Sequence, residues 1–239
     1  MVVALVSVGF AAWLITGSYT EDATGSFVTY DVTNEYFTVK AEVVGEGKIE
    51  FGKGNATTEN QTPWFTFSGD SNEILEAAFT ITVKPDVDDD NVDDILDNIL
   101  SKNDIKVTLK AKNGEYDAAV ENGIVAYPTI SCDNTTTTTT ATAINLKNGV
   151  SITLTANHFT SGVATVKVNF AWSKNGNPYA YYNKFNPNDT VTNTADASTV
   201  TVRAAATTAI KTLYKINNQQ YDIILEVVSV STDESVTDD

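Results

Sequence analysis

Short runs in which every second residue is apolar recur along most of the chain, and Thr, Val, Tyr and Phe fill them. β-Branched and aromatic side chains suit a pleated, half-buried surface. The alternation predicts strands at 26–32, 36–44, 48–51, 64–67, 76–83, 105–111, 123–130, 151–155, 165–172 and 221–231. Between them stand turn signals such as Lys112-Asn113-Gly114 and Lys147-Asn148-Gly149, whose Asn-Gly pairs tolerate positive φ and punctuate hairpins. Short strands separated by turn signals imply an all-β fold with minor helices, an antiparallel, jelly-roll-like β-sandwich rather than an α/β fold.

Two segments break the period of two. In 91–102, NVDDILDNILSK, Val92, Ile95, Leu96, Ile99 and Leu100 recur at helical spacing. Aspartates crowd the first turn, where the helix dipole favours negative charge, so an amphipathic helix packed on the sandwich is expected. A second helix is expected near 202–215, where Ala204, Ala205, Ala209, Leu213 and Ile216 fit one face before the last strand.

The chain opens differently. Residues 1–16, MVVALVSVGFAAWLIT, are apolar and uncharged, while the remainder is polar, threonine-rich and acidic. A run of about 15 residues falls short of the about 20 that span a bilayer and matches the apolar part of a secretory signal. Small residues before Trp13 suit cleavage, yet the first lysine is Lys40, so the positive start of a signal is missing. Three readings stay open: a cleaved signal, a segment retained as a buried strand or helix for assembly, and a membrane anchor. The first two place the rest outside the cytoplasm. After the apolar segment, 17–231 reads as one β-sandwich domain, with the threonine run at 133–142 as the place where it would subdivide or carry an extended strand. Residues 232–239 read as an acidic disordered tail.

A formal charge of −16 repels phosphate backbones and argues against nucleic acid as a partner. Cys132 is the only cysteine, so no intrachain disulfide forms, and stability must come from core packing or from neighbouring subunits. Asn-x-Thr sequons stand at Asn55, Asn60, Asn134 and Asn188 and mark exposed loops. The sole histidine, His158, excludes an HExxH zinc site and sits in a stretch without a nucleophile-elbow pattern. A non-enzyme is expected.

The densest chemical signal is PDVDDDNVDDILD. Asp86, Asp88 and Asp90 alternate, and Asp94 and Asp97 follow at the ninth and twelfth places, the spacing of a calcium loop. Asn91 replaces the glycine of the sixth place, and Asp97 is shorter than the bidentate glutamate of the twelfth. The competing reading is an acidic turn that caps the following helix. The aromatics Trp172, Tyr179, Tyr181 and Tyr182 carry a similar choice, between sugar stacking and filling a hairpin corner.

Several stretches together resemble one family. The opening VSVGFAAWLITGSYTEDATGSFVTYDV is similar to the signal and first strand of TasA/camelysin-type secreted proteins. KIEFGK, PWF, the FAWSKNGNPYAYYN hairpin and a helix running into YDIILEVVSV resemble the layout of surface proteins of Gram-positive-type bacteria. The resemblance implies a jelly-roll sandwich, export, and a biofilm-matrix or surface filament in which one subunit's N-terminal strand completes the next subunit's sheet. The partner is then another copy of the chain, with cell-surface or matrix components around it. The family's metallopeptidase label finds no histidine pair here. The alternative expectation is a cell-surface adhesin, a β-sandwich module that binds carbohydrate or calcium.

Overall fold

In the computed structural model the described residues are 14–18, 27–45, 47–51, 74–87, 92–173, 212–217 and 219–230. The strands are β1 (Leu14–Ser18), β2 (Phe27–Thr33), β3 (Phe37–Val44), β4 (Glu76–Pro85), β5 (Asn103–Ala111), β6 (Val125–Asp133), β7 (Thr138–Thr142), β8 (Val150–Leu154), β9 (Val163–Trp172) and β10 (Tyr221–Ser229). Eight of them coincide with predicted runs, because there the two faces of the strand differ: in β4, Ala77, Phe79, Ile81 and Val83 are buried while the residues between them are not. The run at 48–51 makes an isolated bridge, Glu50 with Ile74, and buries Ile49 and Phe51. The run at 64–67 lies outside the described residues, as do 1–13, most of 202–215 and the tail 232–239.

The strands form one sheet in the order β7-β6-β9-β4-β3-β2-β10-β5-β8, with β1 on β2 off this path. Every ladder along the path is antiparallel except that of β10 with β2, so the expected antiparallel all-β fold is present with one parallel seam. The sheet curls until it is nearly barrel-shaped, bringing its two end strands β7 and β8 near one another. Its inner face encloses a single hydrophobic core.

Aromatic rings fill the centre of that core. Phe27 of β2 meets Phe79 edge-on at 4.9 Å and Tyr221 of β10 at 5.4 Å, and Tyr221 in turn lies 5.3 Å from Phe170 of β9. Residues far apart in the chain thus hold the strands together through contacts that favour edge-to-face geometry.

The predicted amphipathic helix is α1 (Val92–Lys102), with Asp93 and Asp94 in its first turn and Leu96 and Leu100 buried. It seats on a tight turn between Thr160 and Val163. Ser161 and Gly162 there both have positive φ, 48° and 77°, the backbone of a type I′ turn. A Cβ on Gly162 would stand 2.7 Å from the Val83 carbonyl oxygen and 2.9 Å from Leu96 Cδ2, so only glycine lets α1 approach the sheet this closely. Of the second predicted helix, 212–217 is described and helical, with Leu213 and Ile216 buried as its pattern requires. No helix among the described residues is long and apolar enough to cross a membrane.

One element was not expected. The residues after Lys112-Asn113-Gly114 form α2 (Glu115–Glu121) instead of closing a hairpin, because β5 and β6 are not neighbours in the sheet and need a crossover. The Asn113 side chain accepts the Glu115 N–H at 2.9 Å, satisfying a donor that the helix start leaves free.

Candidate functional site

Strand β2 carries more partners than any ordinary sheet strand. Its first residues, Phe27 to Tyr30, pair in parallel with β10; its last two, Val32 and Thr33, pair with β3; and Thr29 to Thr33 pair with β1. The ladder with β3 stops at Val32, and beyond it the Asp31 carboxylate accepts the Ala41 N–H at 3.4 Å. Phe27, Val28, Thr29 and Val32 are all buried, so this strand is covered on both faces at its start and is anchored in the core while its backbone serves β1. β1 runs antiparallel from Leu14 opposite Thr33 to Ser18 opposite Thr29, and β2 is its only strand partner among the described residues. Of the apolar run 1–16, read from sequence as a cleaved signal, a retained strand or helix, or a membrane anchor, residues 14–16 are described and belong to β1.

Of the five aspartates of the calcium expectation, Asp86, Asp94 and Asp97 lie within the described residues. Asp86 follows β4, where its N–H donates to the Tyr36 carbonyl at 2.8 Å. Asp94 and Asp97 are exposed on α1, and Asp88 and Asp90 lie outside the described residues. Among the described residues no group of three or more His, Cys, Asp or Glu side chains is placed to hold a metal ion.

His158 ends a short 3-10 turn (Ala156–His158) and is buried. Its Nδ1 accepts the Thr155 N–H at 3.0 Å, so that nitrogen is engaged in closing the turn. Trp172 packs against the core, its ring 5.0 Å from Phe51 and nearly perpendicular to it, while Tyr179, Tyr181 and Tyr182 lie outside the described residues. Cys132 is buried in β6, where burial raises its thiol pKa.

Two buried polar residues that sequence reasoning missed organise the wall of the barrel. Asn217 accepts the Phe51 N–H and donates to the Phe51 carbonyl, both at 2.9 Å, acting as a side-chain stand-in for a neighbouring strand. Asp117 of α2 accepts the N–H groups of Leu146 at 2.6 Å and Lys147 at 3.0 Å, tying the crossover helix to the turn before β8. Nothing in YDAAVE distinguishes this aspartate from a solvated one; only the fold brings the turn to it. Replacing Asp117 by Ala leaves the buried Leu146 donor without its acceptor. A loss of about 3 kcal/mol is expected from two charge-assisted bonds, read as a lower urea midpoint at constant slope. An unchanged midpoint would show that water replaces the carboxylate freely.

Tyr116 and Tyr221 also face inward with their hydroxyls engaged. Tyr116 donates to the Ala126 carbonyl at 2.8 Å and Tyr221 to the Ile216 carbonyl at 3.1 Å. Burial raises both pKa values far above the ordinary tyrosine value of 10.0. These groups belong to the core and offer no reacting atom to solvent. Comparison with protein-family models, curated proteins and solved structures found no match to this chain.

Proposed function

We propose that the chain is a non-catalytic structural subunit of an extracellular surface or matrix filament, joined to its neighbours by donor-strand exchange of its N-terminal segment. The observation that carries this reading is the position of β1, a five-residue strand attached off the main path of the sheet through one ladder with β2. A strand held by one ladder can be exchanged for the same strand of another copy with no change in the contacts made, which keeps the enthalpic cost of swapping low. Head-to-tail repetition of that exchange does not close on itself and yields a fibre. The single cysteine, which leaves the chain without an intrachain disulfide, fits a subunit whose stability is completed by its neighbours.

Phe27 and Val28 are buried, so charges placed there would test folding rather than assembly. Prolines in β1 test the ladder itself, because proline removes a backbone donor. Deletion of residues 1–25, and separately the pair Thr16→Pro and Ser18→Pro, should abolish filaments in negative-stain micrographs and leave a slowly sedimenting, folded monomer. Filaments that persist in both variants would remove the N-terminal segment from the contact.

A further inference from the structure

We propose that Asn134 is an N-glycosylation acceptor and that the hairpin tip joining β6 and β7 carries the glycan. The proposal rests on the extracellular placement argued above and goes beyond it by naming a modified atom. Asn134-Thr135-Thr136 satisfies the acceptor pattern Asn-x-Thr. Of the chain's sequons it is the one that lies within the described residues.

The local geometry suits the chemistry. Asp133 pairs with Thr138 as the last rung of the β6–β7 ladder, and the Asn134 N–H donates to the Thr137 carbonyl at 2.8 Å, which leaves Thr135 and Thr136 as the exposed tip. The Asn134 carboxamide is oriented through its oxygen, because Oδ1 accepts from the Thr135 N–H at 2.5 Å and from the Thr135 hydroxyl at 2.9 Å. Both bonds use Oδ1. Nδ2, the atom that takes the sugar, makes no hydrogen bond among the described residues. The hydroxyl two residues on, Thr136 Oγ1, is exposed and makes only a long contact of 3.5 Å with the Asn157 carbonyl. Acceptor amide and recognition hydroxyl therefore sit on one protruding turn, and a glycan added there displaces no packed side chain.

The transfer needs an oligosaccharide linked through pyrophosphate to a lipid carrier, and a membrane-bound transferase facing the exported chain. The bond between Asn134 Nδ2 and the anomeric carbon forms as the bond from that carbon to the phosphate oxygen breaks. The lipid pyrophosphate leaves with the electron pair, and one amide proton passes to a base on the transferase. No oxidation takes place.

The neighbouring hydroxyls of Thr135–Thr140 are a second source of the same sugar mass, through O-linkage. The test separates the two. Protein isolated from the cells that naturally make it is digested, and the peptide containing Asn134 is sequenced by mass spectrometry with fragmentation that retains the sugar. Hexose or N-acetylhexosamine mass on Asn134 is expected. It should be lost completely in Asn134→Gln and in Thr136→Ala, and retained in Thr136→Ser, which keeps the hydroxyl. An unmodified Asn134 in protein recovered outside the cell overturns the proposal and leaves the filament reading standing, whereas protein confined to the cytoplasm overturns the filament reading. Sugar mass that persists in Asn134→Gln assigns the modification to threonine and likewise overturns it.

Discussion

Replacing Tyr221 by Ala is expected to cost about 4 kcal/mol, a large share of the about 5–15 kcal/mol that holds a domain folded. Tyr221 opens β10 and is fully buried, with its ring 5.4 Å from Phe27, 5.3 Å from Phe170 and 6.3 Å from Tyr116. Truncation removes ring contacts to β2, β9 and α2 at once, and the cavity left behind is walled by aromatic groups too large to collapse into it. The hydroxyl adds a smaller share: Tyr221→Phe leaves the Ile216 carbonyl without its donor and should cost about 1–2 kcal/mol. Urea denaturation followed by far-UV circular dichroism measures both. If the alanine variant loses no more than the phenylalanine variant, the ring is not part of a packed core.

Alkaline pH should destabilise the protein with an unusually steep slope. Tyr221 is held protonated by burial. Tyr116 is held so by burial first, then by the electrostatic influence of Tyr221 and Asp117. In the unfolded chain both phenols titrate near pH 10, so below that value neither state loses a proton and stability does not depend on these groups. Above it the unfolded state releases protons that the native state retains, and each tyrosine subtracts about 1.4 kcal/mol of stability per pH unit. Together they remove about 2.7 kcal/mol per unit until the barrel opens. The buried Cys132 thiol, raised by burial from 9.0, adds a contribution of the same sign that starts earlier. Both hydroxyls donate to carbonyl oxygens, so a phenolate in place would turn each bond into a repulsion. Urea midpoints between pH 8 and 12 should fall in this manner, and Tyr116→Phe or Tyr221→Phe should each halve the tyrosine part of the slope. Tyrosinate absorbance from both residues in a protein that keeps its native dichroism would refute the account.

The parts of the fold legible in the sequence are those in which the two faces of an element differ. β4, β5 and β9 alternate apolar and polar residues, and α1 places Leu96 and Leu100 one turn apart, so solvent and core leave different marks on neighbouring positions. β7 is TTTAT, nearly the same residue on both faces, and its position inside the threonine run carries no period to read. α2 spans seven residues, less than two full turns, so Tyr116, Asp117 and Ala119 point inward without a repeat that would announce a helix. The strand order depends on pairings such as Tyr221 with Phe27, which no local pattern encodes. The same holds at the candidate sites: Asp86, Asp94 and Asp97 were visible as acidic spacing, whereas Asp117 and Asn217 acquire their partners only when distant turns arrive.

The position of β10 determines when this chain can fold. It lies between β2 and β5, so without it the sheet separates into β7-β6-β9-β4-β3-β2 on one side and β5-β8 on the other. Synthesis delivers those strands first and the one that joins them last. Until residues after 221 have emerged, β2 and β5 both present open edges, and Phe27 and Phe170 lack the Tyr221 ring that closes the core. Completion therefore waits for β10, and its pairing with β2 closes the long loop from Phe27 to Tyr221, the kind of contact that slows folding. A nascent chain stalled before β10 keeps those strand edges open to wrong pairing, the state a chaperone must guard.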